Sequence, residues 1–142
     1  MGKTSIMLNL SDYLTASNKY PERAIHKELT NELLDNAKDF VDTINAFLTE
    51  IGLEDVEEVS SGFRPTDVNS KIPNAAKASL HSKCLAVDFK DPQGKIAKKC
   101  KENPTLLKKY KLFLENPEYT KGWCHLDKSP TRPDRPSRMF NP

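Results

Sequence analysis

Three side chains able to bind a metal ion give this chain its strongest chemical signal. His81 precedes Asp88 by seven positions, and His125 lies within the later segment 123–127. Two imidazole nitrogens and one carboxylate oxygen form a three-ligand set for zinc and leave a fourth position open for water, as catalytic zinc sites do. Upstream, Arg64 supplies a cation that could hold an anionic substrate. Together these residues predict a metal-dependent hydrolase.

The alternative is that the three are unrelated polar residues. The chain has three histidines in all, and two of them fall in these positions. A loop residue and a residue inside the following strand can converge on one ion across the seven positions from His81 to Asp88. The third histidine, His26, precedes the main predicted helix, and we expect it at the surface.

Length and composition predict one soluble domain over residues 1–142, with a Pro/Arg-rich tail at 128–142. The apolar fraction of 37% and the charged fraction of 30% are typical of a globular protein with a single modest core. The net charge of +2 is too small to indicate a nucleic-acid binder, although it suits loose attraction to a polyanionic surface such as a cell wall. The lysines between 98 and 111 are interpreted as solvated helix faces.

No segment is expected to target or anchor the protein. The apolar stretch 6–10 is too short for a signal-peptide core, and nothing approaches the length of a membrane span. We therefore expect the protein to be cytoplasmic as synthesised, and to act on a cell wall only after release. The three cysteines do not form a secreted disulfide framework, and reduced thiols are expected. A bridge between Cys84 and Cys124 is the alternative.

Hydrophobic periodicity predicts an α+β fold in which a small antiparallel sheet carries the site and helices flank it. The clearest element is a helix over 30–51, which Thr30 or Asn31 can cap and Gly52 ends. The other predicted elements are a possible strand at 6–10, strands at 56–64, 85–89 and 122–126, and one or two basic helices over 94–116 interrupted at Pro104.

Four short segments occur in an order that is typical of one enzyme family. They are Ser61-Gly62-Phe63-Arg64, Ser79-Leu80-His81, Ala86-Val87-Asp88 and Trp123-Cys124-His125. This order resembles the zinc D-alanyl-D-alanine carboxypeptidase and L-alanyl-D-glutamate endopeptidase family, whose members are peptidoglycan peptidases of bacteria and phage endolysins. The hedgehog signalling domain shares their fold. The resemblance covers about residues 55–127, with the predicted helix in the place of the family's preceding helix.

The resemblance implies a role for five residues. His81, Asp88 and His125 become the ligands of a zinc cofactor. Arg64 anchors a carboxylate or carbonyl of the substrate, which suits a guanidinium because its planar fork binds carboxylate in a bidentate way. Ser79 hydrogen-bonds near the site. The alternatives are a surface salt bridge for Arg64 and a simple turn residue for Ser79.

The chain departs from the family pattern at two positions. Cys84 stands where the family has a glycine that permits an unusual backbone angle, so this turn is expected to differ or be strained. Gly122 stands where many members carry a catalytic Glu or Asp. Zinc-dependent hydrolysis needs a base, and the nearby candidates are Glu118 and Asp127. Asp127 lies two residues after His125 along a predicted strand and so points to the same face.

The sequence therefore predicts a monomeric zinc peptidase that hydrolyses a stem-peptide bond of bacterial peptidoglycan and binds neither nucleic acid nor membrane. Carboxypeptidases and endopeptidases share these motifs, so the bond that is cut stays open. The alternative is a catalytically weak or inactive zinc-binding module that binds the cell wall or forms part of a phage particle.

Overall fold

A computed structural model describes residues 8–15, 30–53, 59–63, 80–130, 132–133 and 135–141. The helices are α1 (Leu10–Thr15), α2 (Asn31–Glu50), α3 (Lys95–Lys101) and α4 (Pro104–Lys109). The strands are β1 (Val59–Ser61), β2 (Ala86–Asp91), β3 (Phe113–Glu115), β4 (Gly122–Asp127) and β5 (Met139–Phe140). None of the helices in these ranges combines the length and hydropathy that a bilayer crossing demands.

The five strands form one sheet in the order β1-β2-β4-β3-β5. The first three pairings are antiparallel, and β5 joins the edge of β3 in parallel. The predicted α+β class is confirmed, and the sheet is mixed rather than wholly antiparallel because the tail returns to add this fifth strand. The pairing of β2 with β4 extends over six residue pairs and lies inside the sheet, away from its edges.

Helix α2 forms as the sequence predicts. The Thr30 side chain accepts a hydrogen bond from the backbone N–H of Leu33, which satisfies one of the free donors at the helix start. Gly52 follows the helix with φ of 86°, a left-handed conformation that glycine adopts without strain. The helix buries one apolar stripe in the core: Ala37, Phe40, Val41, Ile44, Phe47 and Leu48.

The two faces of the sheet carry different residues, because side chains alternate along a strand. One face packs into the hydrophobic core that also contains the stripe of α2. Its members are Val87, Phe89, Leu114, Cys124 and Leu126. The residues between them, including Asp88 and His125, point to the opposite face. The candidate ligands therefore lie on the face that does not join this core.

Two predicted elements are wrong in part. Residues 113–115 were predicted as the end of a helix, but Lys111 turns the chain with φ of 60° and the next residues form β3. A short apolar run fits either a buried strand or a helix by periodicity alone. Near the other end, Leu10 begins α1 instead of ending a strand; the rest of that predicted strand lies partly outside the described residues.

The tail is ordered where the structure describes it. Met139 pairs with Leu114 and Phe140 with Glu115 in the parallel β3–β5 ladder. The guanidinium of Arg132 lies 3.4 Å from the centroid of the Phe140 ring, a cation–π contact that holds the returning chain. The tail thus packs beside the face that carries the candidate ligands.

Candidate metal centre

A row of side chains crosses one face of the sheet and includes two of the candidate ligands. Asp88 on β2 pairs with His125 on β4, and on its other side with Ser61 on β1. Directly opposite residues place their Cβ atoms about 4.5–5.5 Å apart on the same face. The strand register thus brings Asp88 to His125 although 37 positions separate them in the chain.

His81 reaches this row from a 3-10 turn, Leu80–Lys83, that precedes β2. Its Nδ1 lies 2.9 Å from the carbonyl oxygen of Gly62, and its Nε2 lies 3.4 Å from Oδ2 of Asp88. Because a carbonyl oxygen only accepts, Nδ1 carries the proton and Nε2 faces Asp88. A Cβ at position 62 would collide with the carbonyl oxygen of Tyr13, so glycine is required there.

The turn that presents His81 ends at Cys84 in a strained conformation. Cys84 holds φ at 59°, in the left-handed region that glycine adopts freely and other residues adopt at a cost of about 1–3 kcal/mol. The expected strain at this departure from the family pattern is confirmed. The backbone N–H of Leu85 donates to the carbonyl of Leu80 at 3.0 Å, which closes the turn just before β2 begins.

His125 has both ring nitrogens engaged by carboxylates. Its Nδ1 lies 2.7 Å from Oδ1 of Asp88, and its Nε2 lies 2.8 Å from Oδ2 of Asp127. Asp127 lies two residues along β4 on the same face, as the sequence predicts. The nitrogen that faces the other two candidate ligands is therefore Nδ1, and Asp127 holds the opposite side of the ring.

The three side chains fit a zinc ion. One ligand atom from each of His81, Asp88 and His125 lies within 4.8 Å of the others, and all three residues are buried. Zinc bonds of about 2.0–2.2 Å in a tetrahedron separate neighbouring ligand atoms by roughly 3.3–3.6 Å. The 3.4 Å between Nε2 of His81 and Oδ2 of Asp88 falls in that range, whereas the 2.7 Å between Nδ1 of His125 and Oδ1 of Asp88 is a hydrogen-bond distance that would lengthen around a metal ion. Each imidazole also has its second nitrogen bound to an oxygen, as metal-ligating histidines have.

Opposite charges accumulate at the centre of this row. Burial raises the pKa of Asp88, but the charge of His81 and the hydrogen bonds from both histidines outweigh it and hold that pKa well below its usual range. Burial lowers the pKa of His125, but hydrogen bonds to Asp127 and Asp88 outweigh it and raise that pKa to about 10. A metal ion must displace a proton from this ring, because imidazole binds metals in its neutral form.

Asp127 has its carboxylate oxygens occupied. Besides His125, its Oδ2 accepts from Nη2 of Arg132 at 2.9 Å, and its Oδ1 accepts from the backbone N–H of Ser129 at 3.3 Å. The side chain is 1% exposed. The structure therefore places Asp127 behind the candidate ligand His125, where it can orient the ring.

Sequence reasoning missed a further carboxylate, that of Glu115 on β3. The register of β3 with β4 pairs Leu114 with Leu126, so Glu115 lies opposite His125 in the same cross-strand row. Burial raises the pKa of Glu115, and the nearby charges of His125 and Asp88 act on it in opposite directions. The signal that could have found it is the short run 112–114, which suits a strand between the turn at Lys111 and Pro117.

Of the remaining predicted site residues, the structure describes Glu118, which is not part of this cluster. Glu118 lies in the exposed 3-10 turn Pro117–Tyr119, and its backbone N–H donates to the side chain of Asn116. Arg64 and Ser79 lie outside the described residues. Gly122, at the position where a base is usual, starts β4 with φ of 88° and is exposed.

The three cysteines are buried free thiols, so the Cys84–Cys124 bridge is not present. Burial raises the pKa of Cys84 to about 12. A hydrogen bond with Cys100 and burial together raise the pKa of Cys124 well above its usual value. The thiols of Cys84 and Cys124 therefore stay protonated at neutral pH, and a protonated thiol is a poor nucleophile.

A buried His/Asp/His cluster beside the sheet of an α+β fold could hold a zinc ion with a fourth position open for water, as catalytic zinc sites do. A model of the peptidase M15 family matches residues 18–127, and the chain belongs to this family, which confirms the resemblance found in the sequence. M15 peptidases are zinc-dependent, so zinc is the cofactor that the cluster could bind. No curated protein and no solved structure matches the chain.

Proposed function

We propose that this protein hydrolyses a stem-peptide bond of bacterial peptidoglycan, as a carboxypeptidase or an endopeptidase. The observation that carries the proposal is the buried cluster of His81, Asp88 and His125 in a chain of the peptidase M15 family. In this proposal the zinc ligands are Nε2 of His81, a carboxylate oxygen of Asp88 and Nδ1 of His125. Zinc in such a site lowers the pKa of water toward ~7 and polarises the scissile carbonyl.

Two acceptors orient the histidines. The carbonyl oxygen of Gly62 fixes the tautomer of His81, and the carboxylate of Asp127 fixes the ring of His125. Such contacts determine which nitrogen faces the metal and make the ligand more basic. Because both acceptors are held by the fold, the ligand set is arranged before any metal binds, which lowers the ordering cost of binding.

Substrate contacts are proposed on two sides of the row. Arg64 is proposed to anchor a substrate carboxylate or carbonyl, and Ser79 to hydrogen-bond near the site. Phe63, which directly precedes Arg64, is buried, and its backbone N–H donates to the carbonyl of Tyr13 at 2.8 Å.

On the other side of the row, the ring of Phe140 lies 5.8 Å from the ring of His125, measured between centroids. Phe140 also lines a cleft of about 290 Å³. Two arginines in the lining of this cleft would favour an anionic group. The lining residues are Arg132, Pro133, Arg135, Met139, Phe140 and Asn141.

A second candidate function is a zinc-binding module with weak or no catalysis, attached to the cell wall or to a phage particle. The observation that favours it is Gly122, because the usual position of the base carries no side chain. This candidate retains the ligand set and lacks turnover.

The two candidates differ in one measurement. Purified peptidoglycan and its soluble stem peptides are incubated with the zinc-loaded protein, with a chelator, and with chelator followed by zinc, and the products are identified by mass spectrometry. Products that disappear with chelator and return with zinc support the peptidase, and their masses identify the bond. One bound zinc without any product, from a protein shown to be folded, would favour the non-catalytic module.

A further inference from the structure

Peptide hydrolysis at this site needs a group that takes a proton from the attacking water and passes it to the leaving nitrogen. A carboxylate commonly does this, and position 122 cannot, because it is glycine. The carboxylates that line the same face of the sheet are therefore the candidates. A suitable one must lie beside the ligand row, must be partly accessible to water, and must not already be committed to other partners.

Glu115 meets these three conditions. The β3–β4 register places it opposite His125, on the side of that residue away from Asp88. The side chain is partly exposed, so water can reach it. Within the described ranges its carboxylate makes no hydrogen bond or ion pair, although the charges of His125 and Asp88 are near enough to shift its pKa.

The two candidates that the sequence suggested meet fewer conditions. Asp127 is fully buried, and its oxygens are bound by His125, Arg132 and the backbone of Ser129. Glu118 is exposed in a 3-10 turn whose side chains lie outside the cross-strand row. Neither residue meets all three conditions, as Glu115 does.

We infer that Glu115 is the general base of this site, in place of the residue missing at position 122. The inference rests on the proposed peptidase function. The Glu115 carboxylate takes one proton from water as the water oxygen bonds to the scissile carbonyl carbon. The carbon–nitrogen bond then breaks, and Glu115 returns this proton to the leaving nitrogen. The products are a carboxylic acid and an amine, and Glu115 is again a carboxylate.

The test compares variants of the full chain on the stem peptide that the wild type cleaves. Glu115→Gln keeps the size of the side chain and removes the proton acceptor, Glu115→Asp keeps the acceptor on a shorter stem, and Glu118→Gln removes the competing carboxylate. Glu102→Gln, an exposed change at the end of α3, is the matched control. Each protein is measured for zinc per chain, stem-peptide Kd by calorimetry with the chelated protein, and kcat.

Glu115→Gln is expected to lower kcat by about 10²–10⁴-fold, the usual contribution of a general base, while zinc content and Kd stay within about twofold of the wild type. Glu115→Asp is expected to recover part of that loss. If Glu115→Gln keeps the wild-type kcat, or if it loses zinc or peptide binding in proportion to kcat, Glu115 is not the base. If Glu118→Gln alone loses kcat, the base is Glu118. A wild type that binds zinc and cleaves nothing overturns the proposed function, and the role of Glu115 with it.

Discussion

Both faces of the sheet carry buried residues, but burial has opposite consequences on them. On one face, Val87, Phe89 and Leu126 are fully buried and need no specific partner, because apolar contact is favourable in any orientation. On the other, Asp88 and His125 are each 8% exposed, and their charges are tolerated only because they are paired. The apolar face stabilises the fold through hydrophobic burial, and the polar face holds a set of candidate ligand atoms in place.

This difference implies that substitutions on the two faces should affect different properties of the protein. A change on the polar face should remove zinc binding or turnover with a modest effect on unfolding. A change on the apolar face should lower the free energy of unfolding and leave the zinc content of the folded protein unchanged.

The largest effect is expected for Asp88→Asn. The amide keeps the shape of the side chain but has no charge to balance a divalent cation between two imidazoles, so the variant should not retain zinc through dialysis. Turnover should fall by at least about three orders of magnitude, because a catalytic metal contributes several kcal/mol. Metal analysis and the rate on a stem peptide measure this, with the exposed Asp35→Asn as control. Retention of one zinc and of wild-type turnover would remove Asp88 from the ligand set.

On the opposite face, Leu126→Ala should lower the free energy of unfolding by about 2–5 kcal/mol, because it leaves a cavity in a fully buried part of the core. Leu126 lies next to His125 in the chain but points to the other face of β4. Urea denaturation gives the stability, and metal analysis of the folded protein gives the zinc content. A loss of zinc without a loss of stability would show that the two faces are not separable.

A smaller effect is expected for Asp127→Asn, which we propose acts through His125. Removing the charge that holds Nε2 should weaken zinc binding by about 10–100-fold, the usual effect of changing a group that orients a metal ligand. Competition with a chromogenic chelator measures this affinity. At saturating zinc, kcat should recover. If affinity is unchanged and kcat is lost, Asp127 is itself the base, and the assignment to Glu115 is wrong.

The smallest effect concerns Cys84, a core residue at the end of the turn that precedes β2. Its pKa is raised by burial from 9.0 to about 12, so above pH 9 the unfolded chain loses a proton that the folded chain keeps. The free energy of unfolding should therefore fall by about 1.4 kcal/mol per pH unit for this thiol between these values. Urea denaturation of wild type and Cys84→Ala between pH 8.5 and 10, under reducing conditions, measures the difference in slope. Equal slopes would mean that Cys84 ionises normally in the folded protein.

The sequence predicted the elements whose signals are local. Helix α2 was found because its cap at Thr30, its apolar stripe and Gly52 lie within one continuous segment. The two candidate histidines were found because histidine is rare in this chain, Asp88 was found by its spacing from His81, and the structure brings all three together. The order of the four motifs added the resemblance to a peptidase family, and the match to the peptidase M15 family confirms that resemblance.

The rest depends on contacts between distant segments, which a single sequence does not display. The short run at 113–115 allows a strand but is too short to show a period, and its register with β4 does not follow from the sequence. Because this register was not predictable, Glu115 was missed as a neighbour of His125. Likewise β5 becomes a strand only through its partner β3, and nothing in a Pro/Arg-rich tail indicates that pairing.

The two histidines differ in how their orientation is encoded. His81 is oriented by the main-chain carbonyl of Gly62, whereas His125 is oriented by the side chain of Asp127. A change of side chain at position 127 can therefore remove the second contact and leave the backbone in place, while the first is lost only if the backbone moves, as any side chain at position 62 would require. In lineages where selection on catalysis is relaxed, we expect decay of this centre to begin at position 127, with His81 still correctly presented long afterwards.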